Sequence, residues 1–381
     1  MKVRESSVKG ANIVKILVVN PNNIGDVVLA TPILDALHIL FPGSEITFVT
    51  QNRCKGVLSG DNRISHLFGF DFSSTSFKRQ NLTRFFQALR APWIKQGFDL
   101  AILTSADIRI SSIVRSWIQF EPLWGLVDRA TNSHTYGLRD WFRSGEFLLT
   151  SPVYNDDPLR HEVERLWLIV KSMDKEALLP EKPFLPKITP KPANRKLDFT
   201  EPFMVLHPGA NIPTKRYPIK KMAHIAMKLR SRFSQIVVVG SKEEFCLGEQ
   251  LAALTGCVEN RCGAMSLDTI GSVISRASLY LGNDTGPTHM AAALGVPVVS
   301  IVHGESQALR WGPYRPNDET AKAVWHEDSL VPDRSMNPEL VWRSLPEHEV
   351  LDACVSVLDA VRSKTTKPHY NSGVVGSLWE H

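Results

Sequence analysis

Residues 279–303 read LYLGNDTGPTHMAAALGVPVVSIVH. Leu279, Tyr280 and Leu281 make a short apolar strand, 282–287 is a polar turn, 288–294 is Ala-rich and helical in pattern, and 296–302 is a second buried strand. Such a strand-loop-helix-strand unit sets its loop at the carboxyl edge of a parallel sheet and at the positive end of a helix. Free backbone N–H groups there favour an anion such as a phosphate. Gly286 admits close backbone approach, Thr285 offers a hydroxyl, and Asn283 and Asp284 can accept hydrogen bonds from sugar hydroxyls. The same residue types also close strands and start helices, so the loop reads either as a sugar-phosphate cradle or as an ordinary turn.

Working back from this unit, 203–206 is a strand followed by HPGANIPTKRYP (207–218) and a helical stretch, 219–230. In that loop Lys215 and Arg216 can neutralise a diphosphate, Thr214 can bond one of its oxygens, and Gly209 leaves room for a ligand. A solvated basic loop is the alternative. Residues 236–239 form the next strand, and GSKEEF (240–245) places Glu243 and Glu244 where acidic residues hold ribose hydroxyls in nucleotide sites. The pair equally suits a plain helix start.

The first half repeats the alternation. The run IVKILVV (13–19) leads through NPNNIGD to an amphipathic helix over 27–40, ended by Pro42 and Gly43, and EITFVT (45–50) supplies the next strand. Further elements fall at 100–103 and 111–119. Asp26 lies where the first strand's carboxyl end meets a helix start; it reads as a base able to take a proton from an attacking hydroxyl, or as an N-cap. A helix is expected over 156–173. The Pro-rich stretch 182–194 reads as a linker, a helix over 347–362 closes the fold, and a mobile tail starts near 364. The domains expected are therefore 1–190 and 191–363, with 364–381 as tail.

The charge is uneven: residues 1–195 carry 25 Lys and Arg against 19 Asp and Glu, and the rest 19 against 20. A basic first half suits nucleic acid, an anionic membrane or a phosphorylated substrate, and no nucleic-acid module accompanies it. The acid-free, basic and aromatic segment 76–97 fits either a membrane surface or a helix packed on the domain core. No apolar run is long enough to cross a bilayer and residues 1–15 lack a signal-peptide core, so a cytoplasmic protein is expected. The five cysteines, without a CxxC pair, read as reduced structural thiols.

Taken together, IGDVVLATPILDAL, HPGA with KRYP, GSKEE after a strand, and GNDTGPTHMAAALGVPVV resemble, in order, the motifs of glycosyltransferase family 9, the ADP-heptose:lipopolysaccharide heptosyltransferases. The resemblance covers nearly the whole chain. It implies an α/β fold of the GT-B type, two Rossmann-like domains facing a central cleft with a C-terminal helix closing the fold. It implies an inverting, metal-independent transfer of heptose from ADP-heptose to a phosphorylated lipid-linked oligosaccharide at the inner face of the inner membrane. Asp26 matches the base and Lys215 the phosphate-contacting lysine. Glu244, with Glu243 close behind, matches the ribose-binding Glu, and Met265 the adenine-contacting Met. Asp284, Thr285 and Gly286 match residues around the heptose and diphosphate, with His207, Gly209 and Asn283 in the quoted motifs and Thr214 directly before KRYP counted with them as a donor contact. His289 matches the motif's His, as a donor contact or as a packed helix-face residue. No acceptor-binding residue and no metal ligand is implied. Two other functions keep the fold: transfer from another nucleotide sugar, and nucleotide-sugar binding without transfer.

Overall fold

A computed structural model describes residues 13–71, 97–118, 121–128, 145–190, 199, 201–325 and 338–366. Two six-stranded sheets organise them. The first comprises β1 (Lys15–Asn20), β2 (Glu45–Gln51), β3 (His66–Phe70), β4 (Leu100–Leu103), β5 (Leu123–Asp128) and β6 (Ser151–Asn155), in the spatial order β3-β2-β1-β4-β5-β6. The second comprises β7 (Phe203–His207), β8 (Gln235–Val238), β9 (Val258–Asn260), β10 (Leu279–Asn283), β11 (Val298–Val302) and β12 (Ala321–Trp325), ordered β12-β11-β10-β7-β8-β9. Every pairing is parallel. Each sheet starts in its middle, winds to one edge, returns and winds to the other, which is the Rossmann order. Ligands in such sheets bind beyond the strand ends at the point of reversal. Those points are β1/β4, with Val19 opposite Leu103, and β7/β10, with His207 opposite Gly282.

Burial explains why these runs are strands. Ile16, Leu17, Val18 and Val19 are all fully buried, although alternate side chains face opposite ways. Ile16 and Val18 join a core with Ile33, Leu37, Leu166 and Ile169, while Leu17 and Val19 join another with Ile113, Val114 and Trp117. A strand covered by helices on both faces must be apolar throughout. In the second lobe Met204 and Leu206 pack with Met222 and Ile225, and Phe203 and Val205 with Ile270 and Val273.

Four expectations need correction. The helix expected over 27–40 is two, Ile24–Leu29 and Pro32–Leu40; Pro32 has no N–H to continue the ladder and Thr31 turns its hydroxyl onto the Val28 carbonyl at 2.7 Å. The helix expected from 156 begins only at Glu162, capped by His161. At the other end of the chain, the helix Glu347–Thr366 runs past the expected end at 362, with Lys364 bonded to Asp318 at 2.7 Å. Cys246 is exposed rather than structural, while Cys54, Cys262 and Cys354 are buried, and all five are free. Segment 76–96, the end of the linker from 191 and the tail beyond 366 lie outside the described residues. No described helix is long and apolar enough to cross a membrane.

Candidate active site at the seam of the two lobes

The first lobe contributes the loop after β1. Asn20 holds it from within: its side-chain N–H donates to the Asp26 carbonyl at 3.1 Å and its side-chain oxygen accepts from the Asn22 N–H at 3.1 Å. The chain then enters the helix Ile24–Leu29 through Asn23, and Asp26, three residues on, accepts the Asn23 N–H at 3.0 Å to complete a capping box. Asp26 is therefore the reciprocal partner of the cap rather than the cap. It is half-buried. Burial raises its pKa from 3.8 to about 6, the nearby charge of Glu162 adds to this, and the Asn23 N–H and His289 act the other way. A carboxylate of that basicity is ionised at neutral pH and takes a proton more readily than an ordinary one.

The second lobe contributes the loops after three adjacent strands, β10, β7 and β8. After β10, the Asp284 carboxylate lies 3.5 Å from Lys215 Nζ and 3.3 Å from His289 Nε2. Burial opposes its charge, but His289 and Lys215 prevail and hold its carboxyl below the usual range. Asn283 is fully buried, and its amide is spent on the loop after β7: it donates to Pro208 O at 2.8 Å and Gly209 O at 3.1 Å and accepts from Tyr217 N at 3.0 Å. It therefore shapes the cradle instead of presenting acceptors to a sugar. The Thr285 hydroxyl meets His207 Nδ1 at 3.1 Å, and His207 Nε2 lies 3.5 Å from Glu244. A row of Thr285, His207 and Glu244 thus joins the three loops. Glu244 also accepts the Ser241 N–H at 2.7 Å; burial would raise its pKa, but His207 and that N–H bring it down to about 2. A Cβ on Gly209 would overlap the Glu244 carboxylate.

The lobes meet helix start against helix start. A Cβ on Gly25 would stand 2.6 Å from His289 Cδ2, and one on Gly286 2.6 Å from both Cβ and Cγ2 of Ile24. Met290, from the second lobe's helix Gly286–Ala293, is 1 % exposed and belongs to the first lobe's core cluster. Burying that side chain contributes about 1.5–3 kcal/mol to holding the lobes together. Asp26 therefore sits beside the residue on which His289 rests, and His289 in turn pairs with Asp284.

Asp26 lies at the first reversal point, and His207, Gly209, Lys215, Asp284, Thr285, Gly286 and His289 lie at or just beyond the strand ends of the second, with Glu244 on the loop after the adjacent β8. Thr214 is buried directly before Lys215, its carbonyl accepting the Trp342 indole N–H at 3.0 Å. Met265 is half-buried against the core beneath this sheet edge, and Glu243 is exposed. Sequence reading passed over Glu162, 1 % exposed and bound to Arg165 through Nε at 2.7 Å, and His161 beside it. A signal for the pair exists: Glu162 and Arg165 share the helix face of Leu166 and Ile169, where a lone charge would be costly and a matched i,i+3 pair is tolerable.

Residues 125–338 match the model of glycosyltransferase family 9 (heptosyltransferase). Lipopolysaccharide heptosyltransferase 3 of Escherichia coli is 22 % identical over 355 residues, 90 % of this chain and 98 % of that one. Lipooligosaccharide heptosyltransferase 2 of Haemophilus influenzae is 21 % identical, covering 75 % of this chain and 82 % of that one. The crystal structure of a family 9 glycosyl transferase from Veillonella parvula superposes with a TM-score of 0.69 at 19 % identity, over 90 % of this chain and 97 % of that one. An E. coli heptosyltransferase with ADP gives 0.67 at 16 %, over 89 % and 98 %. The fold is thus the GT-B fold of these enzymes.

Proposed function

Because the chain belongs to glycosyltransferase family 9, and is a glycosyltransferase of the heptosyltransferase type, we propose that it moves a heptose from ADP-heptose to an inner-core lipopolysaccharide acceptor, with inversion. The observation that carries this reading is the place of Asp26 at the seam: its neighbours Ile24 and Gly25 pack against Gly286 and His289 of the second lobe, and His289 joins Asp284 and, through it, Lys215.

In this scheme the acceptor hydroxyl gives its proton to Asp26 as its oxygen forms a bond to the anomeric carbon. The bond from that carbon to the diphosphate oxygen breaks, and its electron pair leaves with ADP. Negative charge grows on the leaving diphosphate, where the Lys215 ammonium and the positive end of the helix Gly286–Ala293 stabilise it. These groups supply the charge that a divalent cation would otherwise supply, so the reaction is proposed to need neither metal nor cofactor. Glu244 would take the ribose hydroxyls and Met265 the adenine. The cationic surplus of residues 1–195 supports a phosphorylated, lipid-linked acceptor met at the cytoplasmic face of the inner membrane.

The experiment is incubation with ADP-heptose and a heptose-deficient lipid acceptor, with Asp26→Asn as control. Transfer by the wild type and its loss in the variant are expected. Equal turnover by Asp26→Asn removes the base, turnover only with another nucleotide sugar changes the donor, and ADP-heptose binding without transfer to any core acceptor reduces the protein to a binder.

A further inference from the structure

We propose that His161 and Tyr314 form a latch between the lobes that fixes the helix Ile24–Leu29 over the donor loops, making His161 a positioning residue; the proposal rests on the transfer reaction assigned above.

The hydrogen bonds of His161 set its tautomer. Standing at the N-cap of the helix Glu162–Met173 in the first lobe, it accepts the Val163 N–H at Nδ1, 3.2 Å away. Its proton is therefore on Nε2, which donates across the seam to the Gly312 carbonyl at 3.0 Å, 151 residues along the chain. The imidazole leans on the Tyr314 ring with centroids 4.5 Å apart, and the Tyr314 hydroxyl donates back to Glu164 at 3.2 Å. Leu29, Val163 and Tyr314 are buried together, with Trp311 packed against them.

The consequence lies in what Leu29 belongs to. It is the last residue of the six-residue helix that carries Asp26, while Gly25 near the start of that helix lies against His289. The second lobe therefore grips the helix at both ends, by His289 at the start and by Tyr314 at the finish, with Asp26 between. Burial pushes the His161 pKa down to about 4, so the ring stays neutral and keeps this tautomer throughout the neutral range. A reacting group displaced by about 1 Å can lose a hundredfold in rate without touching substrate affinity.

Two substitutions separate the latch from the cap. His161→Asn keeps an oxygen near the place of Nδ1 to accept the Val163 N–H but has nothing that reaches Gly312; His161→Gln sets an N–H near the place of Nε2 and gives up the cap. The expected result is a kcat about tenfold or more lower in His161→Asn, with donor KM and ADP affinity within about twofold, and kcat within about threefold of wild type in His161→Gln. Hydrogen exchange of the 24–29 amides, which needs no substrate, should quicken in His161→Asn and not in His161→Gln. Equal kcat and exchange in the two variants, or a loss confined to His161→Gln, overturns the latch. If the wild type transfers nothing from ADP-heptose, the reaction is wrong, and exchange alone decides the latch. Should both variants unfold, Tyr314→Phe keeps the ring and loses only the bond to Glu164; faster exchange at 24–29 supports the latch and unchanged exchange overturns it.

Discussion

The His289 imidazole occupies the space in front of Gly25, its Cδ2 2.6 Å from where a Cβ would stand, while its Nε2 reaches Asp284 at 3.3 Å. One ring thus packs on the base-bearing helix and pairs with the donor loop. His289 is 4 % exposed and cannot swing aside into solvent. Gly25→Ala should therefore cost about 1–3 kcal/mol of stability by overpacking and reduce transfer along with it. Thermal unfolding together with steady-state kinetics checks this, and an alanine variant with wild-type Tm would show that the ring gives way.

Asp26→Asn should lower kcat about 10²–10⁴-fold, the usual worth of a positioned base. The pH dependence of stability follows from the raised pKa. Its carboxyl binds its proton more tightly folded than unfolded, so its favourable contribution is complete below about 3.8 and is lost as pH rises through about 6. Above pH 7 the Asn variant should unfold at a higher temperature than the wild type, and below pH 4 the advantage should vanish. The wild-type rate should fall on the acid side with an apparent pKa near 6.

Lys215→Met removes the ammonium 3.5 Å from Asp284 and leaves that half-buried carboxylate with His289 alone. ADP affinity measured by calorimetry should drop about ten- to a hundredfold, in line with loss of one charge-assisted contact of about 1.5–3 kcal/mol. An unchanged affinity would place the diphosphate elsewhere.

Glu244→Gln tests the row through His207. The pKa of Glu244 is held down to about 2, so the carboxylate contributes stability above its ordinary value of 4.5 and loses it as pH falls from there towards 2. The Gln variant should be less stable than wild type at pH 7 and approach it near pH 3. Weaker ADP binding is also expected. Denaturation series at the two pH values, with calorimetry at pH 7, provide the comparison.

Much of this was legible in the chain. Strands such as 16–19 stand out because a parallel strand buried on both faces must be uniformly apolar, and the loops after them because Gly, Asp and Thr cluster there. Local pattern could not show that Pro32 divides one apparent helix into two, since the apolar period runs through the break. Asp26 was legible as a candidate but not as a residue of raised basicity, because the burial that raises its pKa, and the charge of Glu162 that adds to it, arise only from tertiary packing. Asn283 misled for a related reason. An amide in a polar loop reads as a ligand group until tertiary structure shows the backbone of 208–217 already using it. His161 and Tyr314 carry no local signature, since their pairing spans the two lobes.

Gly25 and Gly286 bare their backbones where the lobes meet helix start against helix start. Hybrids that join the front half of one homologue to the back half of another inherit a working junction only when each donor supplies a hydrogen atom at its own position. A methyl group on either side would wedge the halves apart. Exchanging loops elsewhere on the scaffold leaves this contact untouched.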